Sequence, residues 1–306
     1  MSKNLKGNAI LLIAAIIWGL AFVAQDAAAR TVPPFTINAI RSFIGCIVLI
    51  PVCAYLSKKK GEKHVFKNKN DRKNLLRAGL ICGVMLTVSV NLQQFGIGMY
   101  PPEAAASARS GFLTAMYVVL VPVFGLLFKK RIKINVWLAV GISVIGLYLL
   151  CLSGGLGSIY GGDIIVLGCA FAFALQIIAV DYYVDRVDGV KLSCMQFFVV
   201  GVLSTVLMII FEKPTLSGIL AAGWYLLYVG IMSSGVAYTL QIIGQQLSQN
   251  PTVASIIMSL ESVFAALGGL LVGEILTLRE IGGCVLMFAA IILSQLKFRK
   301  GVNANA

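Results

Sequence analysis

An all-α membrane protein, with ten transmembrane helices in two inverted five-helix repeats, is the fold class this chain predicts. Three observations carry it. Apolar residues fill 59% of the 306 positions and charged residues only 12%, about half the charge of an ordinary soluble domain. The apolar residues gather into ten runs near the ~20 residues needed to cross a bilayer. The second half of the chain repeats the first in outline, which makes the pattern a repeat architecture instead of a string of unrelated helices.

The runs fall at about 8–26, 35–56, 75–98, 103–128, 136–153, 164–181, 194–211, 217–246, 251–272 and 280–297. Lys3 and Lys6 before a run ending at Ala27-Ala28-Ala29 imitate a cleavable signal peptide. That run is long enough to span and more spans follow, so it is read as a retained first helix. Between the runs stand Pro33-Pro34, Pro101-Pro102, the glycine-rich stretch Ser153 to Ser158, Glu212-Lys213-Pro214 and Asn250-Pro251. Proline cannot continue a helix but suits its first turn, so these are natural boundaries.

The formal charge of +13 would point to nucleic acid in a soluble protein. Here Lys58, Lys59, Lys60, Lys63, Lys67, Lys69, Arg72, Lys73 and Arg77 crowd one connection, and Lys129, Lys130, Arg131 and Lys133 another. Lys297, Arg299 and Lys300 close the chain. With the amino terminus inside, 20 basic residues lie on the inner side and 3 on the outer. The positive-inside rule then places both termini in the cytoplasm of a plasma-membrane, multi-pass protein in contact with lipid, and nucleic acid is not expected as a partner.

Cys46, Cys53, Cys82, Cys151, Cys169, Cys194 and Cys284 lie in or beside apolar runs without Cys-x-x-Cys spacing, and the single histidine, His64, sits in the most basic connection. Neither pattern suggests a metal site, and no cofactor is expected. Gly161-Gly162-Asp163 and Asp181-Tyr182 resemble paired aspartates of a membrane protease, but the two acids stand about 27 Å apart by helical rise. An enzyme is therefore not expected. A membrane receptor or scaffold is the main alternative to a carrier, and homo-oligomerisation is left open.

The repeat aligns without gaps from Gly7 to Asp26 and from Gly162 to Asp181, pairing Gly7/Gly162, Ile10/Ile165, Leu12/Leu167, Ala15/Ala170, Ala24/Ala179 and Asp26/Asp181. Leu92-Gln93, Gly96 and Ala106-Ser107 pair with Leu240-Gln241, Gly244 and Ala254-Ser255. The expected halves are residues 1–153 and 154–306. Five helices per half is an odd number, so the second half enters from the opposite side. Inverted repeats of this kind recur in secondary transporters, with the site near the midplane between the halves.

Trp18-Gly19, Asn38-Ala39-Ile40-Arg41, Gly111 to Tyr117 running on to Val121-Pro122, and Ser259-Leu260-Glu261-Ser262 followed by Gly273-Glu274 resemble the drug/metabolite transporter superfamily, EamA family. The resemblance covers nearly the whole chain. It implies a ten-helix carrier that moves amino acids, other metabolites or drugs by alternating access, often outward. Two departures stand out. Ser262 replaces a frequent proline, which predicts a ninth helix stiffened or straightened there, and Lys129-Lys130-Arg131 replaces an acidic turn.

Charged groups at membrane depth cost roughly 2.5–3.5 kcal/mol on insertion scales and usually face a cavity or a partner. Glu261, ten residues into the ninth helix, is placed near the midplane, either as structural glue or as a protonatable group that couples transport. Arg41 and Arg109 sit about two turns inside the outer ends of the second and fourth helices. They are expected to pair with Asp26 or Glu103 or to snorkel outward, and Arg109 alternatively to hold a substrate carboxylate. Asn91, Gln93 and Gln94 in the outer third of the third helix match Tyr238, Gln241 and Gln245 in the inner third of the eighth, as gate residues or as interhelical glue. Trp18, its partner Phe173, Tyr117, Gln176 and Ser259 complete the candidate binding set for a small-molecule solute. Gly79, Gly83, Gly268 and Gly269 are read as close helix contacts.

Overall fold

The computed structural model describes residues 3–59, 69–101, 106–127, 132–151, 160–271 and 277–295. All regular structure among them is helical. Most of the basic connections, Glu103, Glu274 and the Lys129-Lys130-Arg131 turn lie outside the described residues, as do the surroundings of Gly269.

Chain order runs α1 (Lys3–Ala29), α2 (Pro34–Lys59), α3 (Lys69–Gly98), α4 (Ala106–Ala115), α5 (Tyr117–Leu127) and α6 (Ile134–Cys151). It continues with α7 (Gly161–Tyr183), α8 (Gly189–Phe211), the short α9 (Leu216–Ala221) and α10 (Gly223–Tyr228), and a π-helical segment, Val229–Ala237. The chain then forms α11 (Tyr238–Ser248), α12 (Pro251–Met258), α13 (Glu261–Leu271) and α14 (Leu278–Gln295). Eight helices among the described residues are long and apolar enough to cross a membrane, and two shorter apolar helices, Ile134–Leu149 and Ile281–Ser294, accompany them. The ten predicted runs thus correspond to eight full-length spans and two shorter ones.

Three predicted helices are interrupted. The fourth breaks at Met116, where Met116 N–H bonds the Leu113 carbonyl at 3.2 Å and Val119 N–H the Met116 carbonyl at 3.0 Å. Such i→i−3 bonds tighten the turn, and Pro122 further on withholds an amide from the next one. The eighth carries the π segment, in which Gly230 and Gly235 weaken α-helical preference.

The ninth predicted helix breaks at Ser259-Leu260, although position 262 carries serine and not the expected kink-forming proline. Three hydroxyls supply the cause, because Ser255, Ser259 and Ser262 each donate to the carbonyl three residues back, at 2.7–2.8 Å. Back-bonding of this kind bends helices. The straight ninth helix expected from the missing proline is therefore corrected to a broken one.

Boundaries follow local chemistry. Gln249 ends α11 in the left-handed region at φ 53°, and the Asn250 side chain accepts from Thr252 and Val253 amides to cap α12, with Pro251 in its first turn. Two ends of the bundle can be told apart by what meets there. At the near end, where α1 begins, Gly7 packs on Gly244 and Ser248. At the far end Phe35 meets Phe95 and Phe211, and Gly96 packs on Gly162.

The most extensive helix pairings include α6 with α14, α3 with α7, α2 with α8 and α1 with α11. Each joins the first part of the chain to the second. The sequence alignment makes α7 the counterpart of α1 and α11 the counterpart of α3, so the α3–α7 and α1–α11 contacts exchange when the two parts are exchanged. Their contacts agree residue by residue: Gly162 touches Gly96 and Tyr100, and Gly7 touches Gly244 and Ser248. Gly79 and Gly83 receive Met195 and Val199 of α8, and Gly268 faces Leu20 and Val23 of α1, which is the close packing their small size was read to allow.

A Cβ added at Gly7 would stand 2.8 Å from the Ser248 amide nitrogen and 2.9 Å from the Gly244 carbonyl oxygen. Both are backbone atoms that cannot rotate away. Gly7→Ala is expected to cost about 1–3 kcal/mol, the usual range for overpacking. Gly141→Ala, with nothing within 4 Å of the added carbon, should leave stability essentially unchanged. Thermal unfolding of the two variants in one detergent checks the contrast.

Candidate functional site

The interruptions converge on one place. A cavity of about 430 Å³ is lined from α1 by Trp18, Phe22 and Gln25, from α2 by Arg41, from α3 by Gln93, and from α4 and α5 by Thr114 and Tyr117. The later helices add Phe173 and Ile177 from α7, Ser233 from the π segment, Tyr238 and Gln241 from α11, Met258 from α12 and Glu261 from α13.

Two charged side chains reach this depth. Arg41 is 1% exposed. Its Nη1 donates to Gln25 Oε1 at 2.7 Å, while its Nε has no hydrogen-bond partner. Glu261 is 5% exposed and accepts one hydrogen bond, from the Tyr117 hydroxyl to Oε1 at 2.9 Å. Neither is paired with the other among the described ion pairs. The Trp18 indole Nε1 and Gln241 Oε1 are also buried without partners. The wall thus presents unsatisfied donors and acceptors along with a cation and a carboxylate, a costly arrangement in protein that receives no ligand.

Aromatic rings frame these groups. Tyr238 makes edge contacts with Trp18, centroids 4.7 Å apart, and with Phe197 at 5.1 Å. The central tryptophan is therefore a cavity wall, held against α11 from α1.

Of the residues singled out from sequence, Trp18, Arg41, Gln93, Tyr117, Phe173, Tyr238, Gln241 and Glu261 meet in the cavity. Most of the others serve as hydrogen-bonding groups within the bundle. Asn91 donates to Ser204 Oγ and accepts from Asn38, and Gln94 and Gln245 donate to the carbonyls of Gln25 and Ile177. Gln176 receives Gln241 Nε2 at 3.2 Å, and Ser259 bonds its own helix.

The arginine expectations need correction. Asp26 pairs with Arg30 one turn away at 3.2 Å, not with either membrane arginine. Arg41 does not snorkel; it is enclosed beside the cavity. Arg109 meets Asp163 at the start of α7 in a two-pronged ion pair, Nε to Oδ1 at 2.6 Å and Nη2 to Oδ2 at 2.8 Å. That occupies the fork proposed for a substrate carboxylate, and Arg109 is not on the cavity wall.

Asp163 is saturated. Its Oδ1 also accepts from the Tyr100 hydroxyl at 2.7 Å, and its Oδ2 accepts from the Tyr160 amide at 2.9 Å. Burial first, then the Asp163 carboxylate, push the Tyr100 phenol well above its ordinary pKa, so it stays a donor. Arg109 lies over the Tyr160 ring, 4.8 Å from its centroid.

Sequence reading missed Phe22, Gln25, Thr114, Ile177, Ser233 and Met258 as wall residues. Five of them had a signal. Phe22 and Gln25 stand four and seven residues from Trp18, Thr114 three before Tyr117, Ile177 four after Phe173 and Met258 three before Glu261, the spacing that shares a helix face. Ser233 stands five before Tyr238, and only the π turn brings those two onto one face.

A bundle of apolar helices around a central, partly unsatisfied polar cavity fits a transporter. The chain belongs to the EamA-like transporter family, whose pattern it matches twice, over residues 5–152 and 160–296. An uncharacterized transporter of Archaeoglobus fulgidus is 28% identical over 305 residues, 96% of this chain and 87% of that protein. The uncharacterized transporter YoaV of Bacillus subtilis is 22% identical over 300 residues, 93% of this chain and 95% of that one. A solved crystal structure superposes with a TM-score of 0.74 over 95% of this chain and 96% of that chain, at 18% identity. It shares the fold.

Gln25→Leu removes the acceptor of the buried Arg41 guanidinium. Hydrogen bonds to charged groups contribute about 1.5–3 kcal/mol, and a loss of that size in stability is expected by denaturant titration. Combining it with Arg41→Met, which removes the orphaned charge, should recover a large part of the loss.

Proposed function

We propose that the protein is a secondary carrier that moves a small polar solute outward across the plasma membrane by alternating access. Two inverted five-helix halves, residues 1–153 and 154–306, rock about the cavity, with both termini and the near end in the cytoplasm. The observation that carries this reading is the pair of unpaired charges, Arg41 and Glu261, in one cavity walled by helices of both halves. Charge at this depth is expensive and is retained where a cargo or ion uses it.

The inversion is supported by the odd number of runs per half and by helix pairings that exchange when the halves are exchanged. The orientation is supported by the 20-to-3 division of basic residues. Inverted repeats with interrupted helices at the site are a recurring design of carriers, and the breaks at Met116 and Ser259-Leu260 and the π segment adjoin the cavity.

Each wall group then has a task. Arg41 and the Trp18 indole offer donors to an acidic or carbonyl group of the solute, and Gln241 Oε1 and Glu261 offer acceptors to an amine or hydroxyl. The rings of Trp18, Tyr117 and Tyr238 enclose its apolar body. Glu261, with a single hydrogen bond and no cation beside it, is the group that carries a coupled proton.

The test is flux in proteoliposomes with amino acids, amines and drugs under imposed proton gradients. Wild type should accumulate at least one solute, and Glu261→Gln should abolish gradient-driven accumulation while downhill exchange survives. Gradient-driven transport at the wild-type rate in that variant would remove the coupling role. Trp18→Ala should weaken solute affinity about tenfold, in line with an aromatic anchor contributing on the order of 1–2 kcal/mol, and unchanged affinity would remove the wall assignment.

A further inference from the structure

The far-end cluster of Arg109, Asp163, Tyr100 and Tyr160 is not part of the solute site. Its members sit on or at the ends of three helices that line the cavity. Arg109 precedes the wall residue Thr114 by five positions in α4, Tyr100 follows Gln93 by seven just past α3, and Asp163 precedes Phe173 by ten in α7. At ~1.5 Å of rise per residue, the cluster stands roughly 7–15 Å beyond the cavity, toward the far end. It ties the fourth helix of the first half to the first helix of the second.

The exchange of halves does not reproduce it. The gapless pairing of Gly7 with Gly162 makes Asn8 the counterpart of Asp163, and the pairing of residues 92–107 with 240–255 makes Ser248 and Ile257 the counterparts of Tyr100 and Arg109. The glycine contacts verify the register, since Gly162 touches Tyr100 where Gly7 touches Ser248. An ion pair with three further donors or ring contacts at one mouth is thus replaced at the other by an amide, a hydroxyl and an aliphatic side chain. Asn8 Oδ1 has no hydrogen-bond partner.

A second contact works in the same sense. Glu212, after α8, accepts at the far end from the Phe35 and Thr36 amides at 2.7 and 2.8 Å and from the Thr36 hydroxyl at 2.7 Å. A carboxylate of the second half thereby caps the N-terminus of α2 in the first. At the near end the corresponding start of α8 is capped from within, by Asp188 on the Val190 and Lys191 amides.

We propose that Arg109 and Asp163, oriented by Tyr100 and Tyr160, form a latch that holds the far mouth of the cavity shut, and that the carrier rests with this mouth closed. The proposal rests on the transport reading above. Under it, the resting state loads from the cytoplasmic side, and the latch must break for solute to leave at the far side. Arg109 and Asp163 are gate residues and touch no solute.

The experiment is amide hydrogen exchange on the full chain in lipid nanodiscs, without solute. Arg109→Gln and Asp163→Asn should each speed exchange at the far end, residues 92–101, 106–112 and 160–168, roughly tenfold or more, the effect of losing a charge-assisted hydrogen bond. The near end, residues 3–12 and 240–251, should stay at the wild-type rate. The exchanged pair, Arg109→Asp with Asp163→Arg, should restore part of the far-end protection, which a misfolded variant would not do. Far-end exchange unchanged in both single variants overturns the latch, and so does an equal rise at both ends. Proteoliposomes of wild type that move none of the solutes offered would remove the transport reading alone, because exchange reports the mouth without any cargo.

Discussion

Hydrocarbon supplies no hydrogen bonds, and the structure follows from that constraint. Every amide and carbonyl within the membrane must find its partner inside the protein, which leaves helices as the solution for an open chain. Irregular backbone is then admitted only where protein or an aqueous cavity surrounds it. The interruptions obey this. The break at Met116 lies between the wall residues Thr114 and Tyr117, the break at Ser259-Leu260 between Met258 and Glu261, and the π segment supplies Ser233. A helix that must bend beside a cavity bends where freed backbone groups are sheltered.

The same constraint explains how the halves are held. With lipid as apolar as leucine, burial alone does not drive helices together, and close contact falls to small residues and polar links. Gly7 against Gly244 and Gly96 against Gly162 let backbones approach at opposite ends. Amides such as Asn91, Gln94 and Gln245 bridge to neighbouring helices within the bundle. The amides first read as gate or site residues divide accordingly: Gln93 and Gln241 face the cavity, and their neighbours hold the scaffold that keeps it open.

Most of the fold was legible in sequence because it is written in composition and period. Among the described residues the apolar runs reappear as helices in the expected order, eight of them long enough to span and two shorter, and the family pattern matches twice. The helix breaks were less visible, since they depend on hydroxyl back-bonds and a π turn and not on a missing hydrophobe; Ser262 looked like the loss of a kink and is part of one. Long-range pairing was the least visible. Arg109 could be placed near the far end by counting, but its pairing with Asp163 is a matter of three-dimensional neighbours, and the start of α7 is brought there by the α3–α7 glycine contact. The wall fared better, because a helical face repeats every three to four residues and one correct residue predicts the next.

The two membrane arginines show how one residue type serves opposite ends. Arg109 is given a carboxylate and a ring, so that its charge is neutralised within the protein and contributes cohesion between halves. Arg41 is given one amide oxygen and the neighbouring Tyr238 side chain, and its Nε is left bare in a cavity that also holds Glu261. Had Arg41 and Glu261 been joined as Arg109 and Asp163 are, each would have satisfied the other and neither would have had a reason to bind anything else. A buried charge left incompletely satisfied is a standing free-energy cost to the folded protein, and a passing ligand or proton is what relieves it. Under the proposed transport cycle, a site that must release its occupant is better served by that modest, reversible relief than by a saturated pair, and the proposed cycle accordingly puts the saturated pair at the mouth and the unsaturated charges in the cavity.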